Sequence, residues 1–289
     1  MSELEIVASL PRIAARAAEG HKGTYGHVLV VAGSRGMSGA AVLCSGGALR
    51  GGAGLVTVAT PETAQPIVAA GQPCALTLAL PANPEGHMSA AAEPIVMSAT
   101  KRCDVLAVGP GLGGGLGVTS IVTSLLTISE KPIVLDADGL NVLGPSPSAL
   151  RRKDPLVITP HPGEFARLSG MPIADVQANR ESVAVKFAQD YQLVLVLKGH
   201  MTLVTDGRRL YRNSTGNPGM ATGGSGDVLT GLIAALLGQG LEVFSAAQFG
   251  VYWHGLAGDL ARDELGELSL IASDLLTYLP RAIRSREKD

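Results

Sequence analysis

The residues best suited to chemistry lie in one run, Asn217-Pro218-Gly219-Met220-Ala221-Thr222-Gly223-Gly224-Ser225-Gly226-Asp227, followed at once by the apolar stretch Val228-Leu229-Thr230-Gly231-Leu232-Ile233. Glycines ahead of a helix leave its first amide N–H groups uncovered, and the positive end of the helix dipole favours an anion there. A phosphoryl group in transfer would be stabilised at such a place. Asp227, in the first helical turn, could accept the proton of an attacking hydroxyl, and the same dipole would keep it ionised. The plainer alternative makes Asp227 an N-cap and the glycines a turn. Against it, one Asp suffices to cap, and Gly-Gly-Ser-Gly is entropically costly unless a ligand needs the space.

Other candidates recur at the ends of apolar runs. Lys198-Gly199-His200-Met201-Thr202 could offer an ammonium and open backbone to a nucleotide, or the Lys could simply be solvated. Thr159-Pro160-His161-Pro162-Gly163-Glu164 frames His161 between prolines, which would aim it into a cleft. Glu164 could hold Mg²⁺ through water, or serve as a first-turn acid. Asp136-Ala137-Asp138-Gly139-Leu140-Asn141 could orient magnesium, although turn formation explains part of it equally well. Gly109-Pro110-Gly111-Leu112-Gly113-Gly114 matches a dinucleotide fingerprint, but in a chain with 37 glycines it reads better as a wall that lets a ligand approach closely. The stretch Gly33-Ser34-Arg35-Gly36-Met37-Ser38-Gly39-Ala40-Ala41 lacks the Lys of a Walker loop.

The elements that must position these groups follow from patterning. Short Val, Leu and Ile runs at 27–32, 55–59, 75–80, 105–108, 133–136, 156–159 and 194–197 alternate with Ala-rich amphipathic segments at 38–50, 64–70, 119–128 and 174–190. Strands buried on both faces between helices imply an α/β fold with a mostly parallel sheet, which binds ligands at the carboxyl ends of its strands. Residues 202–205 and 209–212 flank Asp206-Gly207-Arg208 as a hairpin, and helices are expected at 226–237, 243–263 and 271–286. The helix after the Gly109 loop is expected to begin only after Gly117. No linker divides the 289 residues, so one domain over 1–289 is expected.

Lys plus Arg (23) nearly balance Asp plus Glu (25), and no basic run exceeds a few residues, so nothing marks a nucleic-acid partner. Cys44, Cys74 and Cys103 have no paired spacing and read as reduced thiols. No stretch reads as a membrane span or a secretory leader, and a cytoplasmic location is expected.

Taken in order, these blocks, with Lys22-Gly23-Thr24-Tyr25-Gly26-His27, resemble the ADP- or ATP-dependent NAD(P)H-hydrate dehydratases of the ribokinase-like superfamily, over about residues 21–284. The resemblance implies a three-layer sandwich and a reaction on the S epimer of hydrated NADH or NADPH (NADHX or NADPHX). Its ring hydroxyl would be phosphorylated by ADP or ATP, and phosphate would then leave. Carried over, Ala41, Gly113, His161 and Asp227 would line the hydrated dinucleotide, with Asp227 as the base. Lys198, Gly199, His200, Met201 and Thr202 would hold the nucleotide together with Gly223, Gly224, Ser225 and Gly226. Mg²⁺ and a homotetramer are also implied. Only about twenty residues precede the match, so an N-terminal epimerase domain is not expected here and a separate epimerase is. A vitamin or sugar kinase of the same superfamily is the alternative.

Overall fold

A computed structural model describes residues 4–11, 13, 15–145 and 147–285. In chain order the elements are β1 (Glu5–Val7), β2 (His27–Val31), α1 (Ser38–Arg50), β3 (Leu55–Pro61), α2 (Gln65–Gly71), β4 (Leu76–Leu80), α3 (Glu93–Thr100), β5 (Val105–Val108), α4 (Leu116–Ile128), β6 (Ile133–Leu135) and α5 (Asp138–Asn141). They continue as β7 (Leu156–Ile158), α6 (Pro162–Ser169), α7 (Ile173–Ala178), α8 (Arg180–Tyr191), β8 (Val194–Leu197), β9 (Leu203–Thr205), β10 (Arg209–Arg212), α9 (Ser225–Gly238), α10 (Val243–Leu265) and α11 (Ala272–Arg284).

The seven apolar runs all become strands of one sheet, ordered β1-β10-β9-β8-β7-β6-β5-β2-β3-β4. Only β9 runs against the rest, pairing antiparallel with both β8 and β10, as the expected hairpin requires. Side chains alternate across the sheet, and here the two faces differ in bulk. Val28, Val30, Ala107, Val134, Val157 and Val196 face a core shared with α1, α9, α10 and α11. Leu29, Leu106, Ile133, Leu135, Ile158 and Leu195 face a second core with α3, α4, α6 and α8. The expected three layers follow directly.

Strand order reverses between β2 and β5, which opens a crevice at their carboxyl ends. The two loops beside it are tied together: Gly33 N donates to the Pro110 carbonyl at 2.8 Å and Ser34 Oγ to that of Gly111 at 2.9 Å.

Several expectations need correction. The helix expected over 174–190 is two, α7 and α8, broken at Asn179 (φ −128°). The helix expected after Gly117 starts at Leu116, with Gly115 (φ 100°) as its N-cap, and Gly117 lies inside its first turn, where a Cβ would be 2.4 Å from the Met88 carbonyl oxygen. The expected last helix is described to Arg284, and its residue 286 lies outside the described residues. The three cysteines are free. Among the described residues no helix is long and apolar enough to cross a membrane.

Candidate active site at the carboxyl edge of the sheet

Helix α9 begins at Gly224, whose φ of 93° is left-handed and which supplies no side-chain cap. Its position is set from behind by α1, which approaches at backbone distance: a Cβ on Gly231 would lie 1.8 Å from the Cys44 carbonyl oxygen, and one on Gly47 2.2 Å from that of Val228. Asp227, half-buried in the first turn, turns its carboxylate back towards Gly224, where Oδ2 lies 3.9 Å from the place a Cβ would occupy. Burial pushes its pKa up to about 7, Asp136 adds to the rise, Lys198 opposes it, and Asp138 and Glu164 push the same way as burial. Desolvation and three neighbouring carboxylates therefore work against the ionised form that the helix dipole was expected to favour.

Asp136, directly after β6 and 1% exposed, accepts from Lys198 Nζ at 2.8 Å and from Thr230 Oγ1 at 2.7 Å. Lys198, directly after β8, also lies 3.8 Å from Glu164 Oε2. Burial alone would lower the Lys198 pKa, but Asp136 and Glu164 outweigh it and the net direction is upward. Its ammonium is thus held by two protein carboxylates rather than dispersed in solvent. Gly226 is what lets the helix descend onto this pair, since a Cβ there would sit 3.1 Å from Lys198 Nζ.

His161 is the N-cap of α6: Nδ1 accepts from Gly163 N at 3.0 Å and Glu164 N at 3.3 Å, while Glu164 Oε2 accepts from His161 N at 2.8 Å. The two prolines do hold the backbone, but the imidazole is exposed and spends one nitrogen on the cap. Across the cleft, Asp138 Oδ2 accepts from Gly113 N at 2.9 Å, and the His87 ring occupies the space a Cβ on Gly113 would need. Ala137, between the two acids, has φ 48°, a strained value for a residue with a Cβ. Ala41 is fully enclosed in α1 and packs against Gly33, so it presents no side-chain surface here.

The nucleotide loop expected at Lys198, Gly199, His200, Met201 and Thr202 leaves β8 with left-handed backbone at Gly199 (φ 134°) and Met201 (φ 53°). Thr202 Oγ1 donates to the Gly199 carbonyl at 2.9 Å. Arg180, at the start of α8, donates to the carbonyls of Leu197 (3.2 Å), Lys198 (3.3 Å) and His200 (2.5 Å). His200 and Met201 are exposed, as is Gly223, while Ser225 is buried and its Oγ donates to the Met220 carbonyl at 2.9 Å.

The structure therefore joins Asp227, Gly226, Lys198, Glu164, His161, Asp138 and Gly113 in one chain of contacts and electrostatic neighbours, with Ala41 behind it. Sequence reasoning missed Thr230, Arg180, His254 and Asp259. Thr230 sits three residues after Asp227, one helical turn on, and the glycines at 255 and 258 inside an apolar helix were a signal for the last two. No group of three or more metal-ligating side chains occurs among the described residues.

A parallel sheet clad on both faces, with a glycine-headed helix presenting an acid at its carboxyl edge, defines the ribokinase-like architecture. A ribokinase-like superfamily protein from Enterococcus faecalis superposes with a TM-score of 0.81 at 26% identity, covering 95% of this chain and 92% of that one. The family model for NAD(P)H-hydrate dehydratase matches residues 28–281, and the chain belongs to that family. It is 37% identical to the ADP-dependent (S)-NAD(P)H-hydrate dehydratase of Bacillus subtilis, over 97% of this chain and 96% of that protein. A crystal structure of the ADP/ATP-dependent Bacillus subtilis enzyme with ATP and Mg²⁺ covers 95% of this chain and 94% of that one, with a TM-score of 0.80 and 33% identity. The bifunctional NAD(P)H-hydrate repair enzyme of Moorella thermoacetica is 47% identical over 97% of this chain but only 53% of its own length, so the chain spans about half of that protein.

Proposed function

We propose that the chain is a nucleotide-dependent dehydratase acting on the S epimer of hydrated NADH or NADPH, with Asp227 as general base. The observation that carries this reading is a half-buried carboxyl, its pKa raised to about 7, in the first turn of a helix headed by glycine. A base titrating near neutral pH can take a proton from an alcohol and still be ionised often enough to act. Asp227 removes the ring hydroxyl proton as the oxygen attacks the terminal phosphorus of ADP or ATP, and the bond to the leaving nucleotide breaks. The amides of Gly224 and Gly226 at the head of α9 stabilise the charge on the transferring group. Phosphate then departs with the former hydroxyl oxygen while a proton leaves the adjacent ring carbon, which restores the double bond. Hydroxide is too poor a leaving group for the direct route, and phosphorylation removes that obstacle.

In this reading Lys198, Gly199, His200, Met201 and Thr202 form the nucleotide side with Gly223, Gly224, Ser225 and Gly226, and Gly113 and His161 border the dinucleotide, with Ala41 shaping its wall from behind. Glu164 would hold Mg²⁺ through water, and the ion would supply charge neutralisation to the nucleotide phosphates. The chain would work in the cytoplasm and as a homotetramer, in concert with an epimerase activity, and light scattering checks the assembly.

The test is to incubate the protein with Mg²⁺, ADP or ATP, and hydrated NADH. Recovery of the near-ultraviolet absorbance of reduced nicotinamide with stoichiometric inorganic phosphate is expected. A phosphorylated product that accumulates without that absorbance would make the protein a small-molecule kinase instead.

A further inference from the structure

The turn that presents Asp227 is poorly held by its own sequence. Gly223, Gly224 and Gly226 supply no side chains, and the N-cap makes no side-chain hydrogen bond, so the first turn has little to stop it fraying. Besides the α1 seam and the Ser225 Oγ bond to Met220, order comes from one strip of α10. Gly255 lets Thr215 against the helix, where a Cβ would lie 2.3 Å from Thr215 Oγ1, and Gly258 does the same for Met220, at 2.2 Å from Sδ. Asp259 accepts from Gly216 N at 2.8 Å and from Asn217 Nδ2 at 3.0 Å. His254 completes the strip, one turn nearer the site: its Nε2 lies 2.8 Å from the carbonyl oxygen of Ser225, the first residue of α9.

We propose that His254 is a positioning residue for the catalytic turn, donating its Nε2–H to the Ser225 carbonyl and thereby setting the aim of the Asp227 carboxylate. The inference rests on the reading of Asp227 as base. A carbonyl oxygen can only accept, so the ring proton is on Nε2 and the tautomer is fixed. Burial lowers the pKa of the imidazole to about 4, the bond to Ser225 raises it in part, and Lys198 lowers it further, so the ring stays neutral through the working range. His254 acts through Ser225 and Gly226, which lead directly to Asp227, where a displacement of about 1 Å can cost about 10²-fold in rate.

Two substitutions remove the donor and one keeps it. His254→Leu fills much of the space without an N–H, His254→Asn is polar but too short to reach Ser225, and His254→Gln can place an amide N–H on the same carbonyl. Turnover of hydrated NADH with ADP should fall by about 10²-fold in H254L and H254N. KM for both substrates should stay within about threefold of the wild-type values. H254Q should recover most of the rate, and hydrogen exchange of the amides at 224–227 should quicken in the first two variants only. Full turnover in H254L or H254N, or an H254Q as slow as they are, overturns the proposal. Asp227→Asn measured alongside separates the two ideas: full turnover there removes Asp227 as base, while the exchange pattern still decides whether His254 holds the turn.

Discussion

Asp227→Asn should abolish most turnover and at the same time make the protein harder to unfold at pH 8. Burial, reinforced by Asp136, lifts this carboxyl from 3.8 to about 7. Between those values the folded chain holds a proton that the unfolded chain has released, so stability falls as pH rises through the window and stays low above it. The gap of about three pH units, at about 1.4 kcal/mol for each, corresponds to about 4 kcal/mol. That is a ceiling, because water reaching the half-buried group relieves part of the cost, and a gain of about 1–3 kcal/mol is expected. Asn is neutral at every pH, so its advantage should be largest at pH 8 and clearly smaller at pH 5. Urea unfolding followed by circular dichroism at the two pH values measures it, and the same samples should show turnover reduced by about 10²–10⁴-fold. An equal advantage at both pH values would mean that the wild-type carboxyl titrates at its ordinary value, and the argument from burial would be refuted.

The neighbours of Asp227 should move the acid limb of the rate profile in opposite directions. Asp136→Asn removes a group that raises the Asp227 pKa and should carry the limb of kcat/KM below pH 7, whereas Lys198→Met removes a group that lowers it and should carry the limb above, as a pH series on each variant would record. Gly231→Ala sets a methyl group against the Cys44 carbonyl and should destabilise the fold by about 3 kcal/mol, read as a fall in Tm by thermal denaturation. Arg180→Met frees the carbonyls of Leu197, Lys198 and His200 and should raise the nucleotide KM by about tenfold with little change for the hydrated dinucleotide, measured by varying each substrate separately.

Most of the sheet was legible because buried parallel strands announce themselves as uninterrupted Val, Leu and Ile. Strand β1 was not, since three residues at an exposed sheet edge carry no burial pattern. The break at Asn179 escaped notice because hydrophobic residues continue on both sides of it. Asp227 and its glycines were visible as a run, yet the groups that oppose its ionisation were not. The dipole belongs to the local helix, whereas Asp136, Asp138 and Glu164 come from distant parts of the chain and their proximity exists only after folding. Arg180 was invisible, and His254 was marked only indirectly by the glycines beside it, for a related reason: each bonds to main-chain carbonyls, which every residue possesses and no sequence distinguishes.

The close seating of α9 on α1 has an evolutionary corollary. Gly47 and Gly231 hold no group able to react, yet any added atom there must lever the glycine-headed end of α9 off its bed. In a saturation library sorted on catalytic output, these two interior positions should be as intolerant as the acid itself. A survey that equates intolerance with contact to substrate would then draw the functional centre too large, extending it along a helix seam that only keeps the machinery in register.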